Sequence, residues 1–272
     1  YLYEDIKSEK AINMLAEFAV LNLNSNYRVL KLGNPFAESQ TSYYHKSIGG
    51  YHGAKLKRYQ ELVDFYIMDE HNNWRPNQNT PILNMLNTKY FIFPIDDKGN
   101  KEIILNPNAY GNAWFVENIK TVDNANEEML ALKDIDLRNT AVVHKEFKNV
   151  QAPKNIDSMA TIRLTKYGLN HLEYSCENDY ASPVVFSEIY YPEGWNCYID
   201  GKQVEVFRAN YVLRGMMVPA GKHKIEWKFE PKSMETGSLV SGIGSVLLIL
   251  SCLTVFFVEI KGKLKTLDEK ES

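Results

Sequence analysis

The run "FSEIYYPEGWNCYIDGKQVEVFRANYVLRGMMVPAGKHKIEWKFEP", residues 186–231, holds the reading of the fold. Near its end Ile225, Trp227 and Phe229 are separated by charged residues. That is the period-2 pattern of a strand with one buried and one wet face. Asp200–Gly201 inside "YIDGKQV" suits a type I′ turn, which needs positive φ at both central positions. "PEG", "AN" and "PAG" break the other apolar runs. Short strands at this spacing predict an antiparallel, jelly-roll-like β-sandwich. Upstream, "ATIRLTKYG", "NHLEYSCEN" and "SPVVFSEIYYP" continue the pattern back to about residue 159. Before them, residues 112–122 read as one strand, 124–134 as a short helix and 139–147 as another strand.

The N-terminal part has a different rhythm. Residues 8–24 show helical periodicity behind Ser8, with Ile12, Leu15, Ala16, Ala19 and Leu23 on one face. "YRVLKL" (27–32) reads as a strand and residues 54–68 as a helix. In "TPILNMLN", Thr80 is placed to cap a short helix with Pro81 in its first turn. "KYFIFP" and "KEIIL", joined by "DDKGN", predict a hairpin. The expected fold class is therefore α+β. Its parts are an α/β unit over residues 1–106, a β-sandwich over 107–234, a membrane helix over 236–258 and a tail over 259–272.

The membrane helix rests on "TGSLVSGIGSVLLILSCLTVFFV", residues 236–258, which carry no charge. About 20 such residues cross a bilayer core as a helix. Lys261, Lys263 and Lys265 follow it closely, so the positive-inside rule puts the C-terminus in the cytoplasm and residues 1–234 outside. Lys222, Lys224, Lys228 and Lys232 precede it, but they belong to a folded domain, which translocates largely regardless of charge. The chain starts on Tyr without a signal peptide, which reads as a fragment or a processed chain. The net charge of −3 and the absence of long basic blocks argue against a nucleic-acid partner. Three cysteines without CxxC spacing supply no metal motif, and no cofactor fingerprint occurs. Cys176 and Cys197 are compatible with a disulfide or with two buried thiols.

Two groups of residues are candidates for binding. "SYYHKSIGGYHGAKLKRYQEL" (42–62) has no acidic residue before Glu61. Its His45, Lys46, Gly49, Gly50, His52, Gly53, Lys55 and Arg58 could form an anion or lipid-phosphate contact at the start of a basic helix. No Ser or Cys nucleophile has a recognisable elbow or partner pattern and no carboxylate lies close to the two histidines in sequence, so no catalytic residue is assigned. Glu188 with Tyr190, Tyr191, Trp195 and Tyr198 could line a glycan-stacking surface, although strand alternation sends about half of such residues into the core.

Residues 186–231 followed by an apolar helix resemble the C-terminal region of the YfhO-like bacterial membrane proteins. "SYYHKSIGGYHGAKLKRYQELVDFY" and "ILNMLNTKYFIF" resemble segments of the same family, in the same order. The resemblance implies a large polytopic protein of the bacterial cytoplasmic membrane, similar to GT-C type glycosyltransferases. Those take a sugar from a polyprenyl-phosphate donor on the outer face of the membrane. It also implies partners: membrane lipid, a polyprenyl-phosphate sugar or glycan, and the remaining transmembrane helices. The acidic catalytic residue of such enzymes is expected in an early loop that has no counterpart in this sequence, so the expected role is contact or packing. The rival expectation is a non-enzymatic, membrane-anchored glycan-binding or structural sandwich. A soluble-substrate hydrolase is disfavoured because no paired carboxylates form a recognisable motif.

Overall fold

A computed structural model describes residues 26–75, 78–94 and 101–271. The expected helix at 8–24 and the turn at 96–100 lie outside the described residues. The chain divides into two compact units. One runs to Tyr191 and resumes over Cys197–Trp227; the other comprises Pro192–Asn196 and the residues from Lys228 onward.

In the first unit, β1 (Arg28–Lys31) is parallel to β2 (Thr88–Pro94), and β2 is antiparallel to β3 (Lys101–Leu105). A parallel pair needs a crossover. Here the crossover carries α1 (Gln40–Tyr44), α2 (Lys57–Leu62), a π-helical stretch (Val63–Ile67), α3 (Met68–Asn72) and α4 (Pro81–Met85). The expected helix at 54–68 therefore begins three residues later, at Lys57, because Leu56 is still extended at ψ 131°. Leu62, Val63 and Ile67 form its buried face. Thr80 does not cap α4 with its side chain. Glu70 of α3 does so instead, accepting from the N–H groups of Ile82 and Leu83 at 3.0 Å each. A carboxylate beside free N–H groups suits the positive end of the helix dipole.

Two further sheets build the sandwich. Its elements are β4 (Ala113–Phe115), β5 (Asn118–Val122), α5 (Ala125–Asp134), β6 (Thr140–His144), β7 (Thr161–Tyr167), β8 (His171–Asn178), β9 (Ser182–Ile189), β10 (Trp195–Ile199), β11 (Lys202–Val204), β12 (Val206–Ala209), β13 (Leu213–Val218) and β14 (Gly221–Phe229). The strand orders are β4-β9-β13-β12-β6-β5 and β11-β10-β14-β8-β7. Pairing is mostly antiparallel, as the turns predicted. β5 and β6 are parallel, because α5 forms the crossover between them. Asn124 caps α5, accepting from the Glu127 N–H at 3.0 Å, while Glu127 accepts back from the Asp123 N–H.

Two expected strands are each divided. Residues 112–122 become β4 and β5, on opposite edges of the six-stranded sheet. From Phe115 to Asn118 the chain reaches about 11 Å at most, whereas five strand spacings amount to roughly 24 Å. The sheet must therefore curl so that its edges approach. Residues 202–210, "KQVEVFRAN", expected as a single strand after the Asp200–Gly201 turn, become β11 and β12, which lie in different sheets, so the chain changes sheet at Glu205. Asp200 (φ 49°) and Gly201 (φ 80°) form the expected turn.

Between the sheets Phe186 lies 5.0 Å from Tyr174 and 5.2 Å from Trp227, both edge-on. Ile225 and Trp227 are buried, as alternation required. One hydrophobic cluster runs without a break from Leu30, Leu62 and Leu83 to Val143, Phe207 and Leu213. Cys176 and Cys197 are free and buried. β14 separates their strands, and two strand spacings, about 10 Å, exceed disulfide reach.

The second unit contains α6 (Lys232–Glu271), of which Lys232–Val258 is long and apolar enough to cross a membrane. The helix does not stop at 258 but continues through the expected tail. The described side chains of Lys232–Val258 are all exposed. In the same unit Trp195 packs on Phe229 at 5.3 Å, and Glu230 donates its N–H to Gly194 at 2.7 Å.

Candidate functional site

The basic loop is anchored on β1. Val29 donates its N–H to the Lys46 carbonyl and accepts from the Ile48 N–H, each at 2.9 Å. The glycines serve packing at this point. A Cβ on Gly49 would stand 2.2 Å from the Pro35 oxygen, and Gly50, at φ 121°, donates to that same oxygen at 2.7 Å. Gly53 has open space around it. The His45 N–H closes α1 on Thr41, and His52 Nδ1 accepts from the Ala54 N–H at 3.0 Å. Lys55 lies 5.0 Å over the Phe36 ring.

Arg58 takes another direction. It reaches Glu128 of α5 at 2.9 Å and lies 4.5 Å over the Tyr211 ring. Glu128 has no exposure, and it also meets Arg208 at 3.4 Å and the Tyr211 N–H at 3.2 Å. Tyr211, at φ 72° in the β12–β13 turn, donates its hydroxyl to Glu61 at 2.5 Å. This network ties α2 and α5 to the sandwich, so Arg58 is held by a structural carboxylate.

Lys46 joins a different cluster, drawn from three distant stretches of chain. Its ammonium bonds Asn26 Oδ1 and stands 3.2 Å over the Tyr167 ring. Burial holds its pKa below the ordinary lysine value. Glu188 opposes that shift and Arg28 adds to it. Arg28 bonds Glu188 at 3.2 Å and donates to the Leu86 carbonyl at 2.9 Å and the Ser187 carbonyl at 2.5 Å. Arg214 donates to the Ile189 carbonyl at 2.9 Å and lies 5.1 Å over Trp227. Burial lowers its pKa to about 10, while Glu188 acts to raise it. Burial also raises the pKa of Tyr167 and of Tyr174. Arg28 thus pairs directly with Glu188, and Lys46 and Arg214 both feel the charge of the same carboxylate. Lys46 and Glu188 were legible in the sequence. Arg28, Tyr167 and Arg214 were not, since β1, β7 and β13 belong to three different sheets and only tertiary packing gathers them.

The four aromatic candidates have different surroundings. Tyr190 lies edge-on to Phe147 at 6.1 Å and 5.9 Å from the Arg208 guanidinium. Tyr191 is exposed, Tyr198 pairs with Gln203 in the β10–β11 ladder, and Trp195 belongs to the second unit. Next to Phe147 is a cleft of ≈ 700 Å³ between residues 146–150 and 204–207. On the outer face of β8 and β14, His171, Glu173 and Glu226 converge closely enough to hold a cation. Lys224 already meets Glu173 at 2.9 Å and Glu226 at 3.5 Å, and Lys166 meets Glu173 at 3.3 Å, so ammonium groups balance that charge.

Comparison with known proteins places these features in a family. No curated protein and no solved structure matches the chain. The model of the family described as "Bacterial membrane protein YfhO" matches residues 66–241, from the π-helical stretch through the whole sandwich into α6. A match over well over half of the 272 residues, with an apolar helix of spanning length at its end, is decisive: the chain belongs to the YfhO family of bacterial membrane proteins.

Proposed function

We propose that this chain is an extracytoplasmic portion of a polytopic membrane protein associated with sugar transfer from a polyprenyl-phosphate donor to a cell-envelope acceptor. Its own part is to hold the anionic lipid-linked sugar or its acceptor; bond-making belongs to other parts of the protein. The observation that carries this reading is the partly desolvated ammonium of Lys46, held by the Asn26 amide oxygen and the Tyr167 ring within the field of the Arg28–Glu188 pair. A phosphate there would favour the charged form of Lys46, whose ammonium is partly desolvated. Arg58 is left out of this reading because it pairs with Glu128. The test uses the full chain in lipid nanodiscs with undecaprenyl phosphate, read by native mass spectrometry. The wild type should retain the lipid and Lys46→Glu should lose most of it. Equal retention by both would remove the anion-site reading and favour a structural module that braces other spans.

A further inference from the structure

The cleft beside Phe147 has a cause in the strand pairing. β12 and β6 pair only at Ala209–Val143, after which β6 ends and the chain turns away, Phe147 donating to the His144 carbonyl at 3.0 Å. An antiparallel ladder continued from there would set Val206 opposite Glu146. Instead the two segments separate, and the chain also leaves for the other sheet at Glu205. The floor of the opening is apolar, with Phe207 and Met217, while Glu146, Lys148, Asn149 and Glu205 stand on its rim. Asn149 donates to Glu205 at 2.9 Å, which orders two rim groups toward each other. Phe147 occupies one side, with Tyr190 edge-on behind it. Peptide-group alternation turns the Val206 N–H and carbonyl toward the opening, where no strand covers them.

We infer that this cleft is a saccharide-binding site, taking one or two neutral pyranose rings. The reading rests on complementarity. A pyranose has an apolar C–H face for Phe147 and the floor, and a ring of hydroxyls that both donate and accept. The rim supplies acceptors at Glu205 and Glu146 and donors at Asn149 and Lys148, with signs mixed, so it selects neither an anion nor an aliphatic chain. The volume falls in the range of small-molecule sites. This deepens the glycan side of the proposed function and uses none of the Lys46 cluster.

The test is saturation-transfer NMR on the full chain in nanodiscs with maltose and N,N′-diacetylchitobiose as probes. At least one should receive saturation on its ring protons. The double variant Asn149→Ala/Glu205→Gln, confined to exposed positions, should weaken that binding by about ten-fold or more. Phe147→Ala should weaken it by about the same factor through the lost ring contact. Lys57→Ala, an exposed change outside both sites, should leave it unchanged, and lipid retention is read in its own assay, so the lipid-phosphate and saccharide readings can fail separately. No transfer to either sugar, or transfer undiminished in the double variant, would overturn the assignment.

Discussion

Glu128 shows what a single residue does in this fold. A fully buried carboxylate meets two guanidinium groups and a peptide N–H, and removing it would leave the Arg58 and Arg208 charges without their shared partner. Glu128→Ala should destabilise the chain by about 3 kcal/mol, read as a lower urea midpoint. By contrast, Lys57→Ala loses only an exposed pair with Glu61 and should stay within about 0.5 kcal/mol. Glu70 gives a pH signature. Burial raises its pKa from 4.5 to about 7, against the opposing N–H bonds from Ile82 and Leu83. The folded chain therefore binds this proton more tightly than the unfolded chain. The stabilisation is full below pH 4.5, is lost as pH rises toward about 7, and stays flat above. Glu70→Gln should flatten the dependence of the thermal midpoint on pH across that window; an unaltered slope would assign it to other groups. Neither role could be read from the sequence, where Glu128 is one charge on a short helix and Glu70 one in an acidic stretch.

At the scale of elements, the sheet tolerates little at Gly215, opposite Phe207 on β12. A Cβ there would approach the Phe207 ring to 2.2 Å, so the ring must leave its place. Gly215→Ala should cost about 2 kcal/mol in urea unfolding. Gly53→Ala, which meets nothing within 4 Å, should be neutral or slightly stabilising. If the two variants unfolded alike, the close approach of β12 and β13 would be refuted. Element types were largely legible, because alternation and turn residues report local preference. The divisions at Val116–Glu117 and at Glu205 were not. Both runs have uninterrupted strand composition, and only the curl of one sheet and the change of sheet require a break.

For the whole molecule, the apolar helix and the family place the protein in the membrane. Leu248→Lys, near the middle of the span, should raise the cost of insertion by about 3 kcal/mol, seen as a smaller inserted fraction in a microsomal assay. A reporter fused after Ser272 should be active only in the cytoplasm, given Lys261, Lys263 and Lys265; periplasmic activity would reverse the orientation. The sequence by itself determined the α+β class, the sandwich strands, the Asp200–Gly201 turn and the membrane helix. These follow from period, length and turn chemistry, which are properties of neighbours along the chain. Only the tertiary structure decided that Arg58 belongs to Glu128, that Arg28 pairs with Glu188 while Lys46 and Arg214 feel the same carboxylate, and that a cleft opens beside Phe147. Those contacts join residues as much as 160 positions apart in the numbering, from Arg28 to Glu188. Burial and strand register, which set them, are fixed only when the whole core closes.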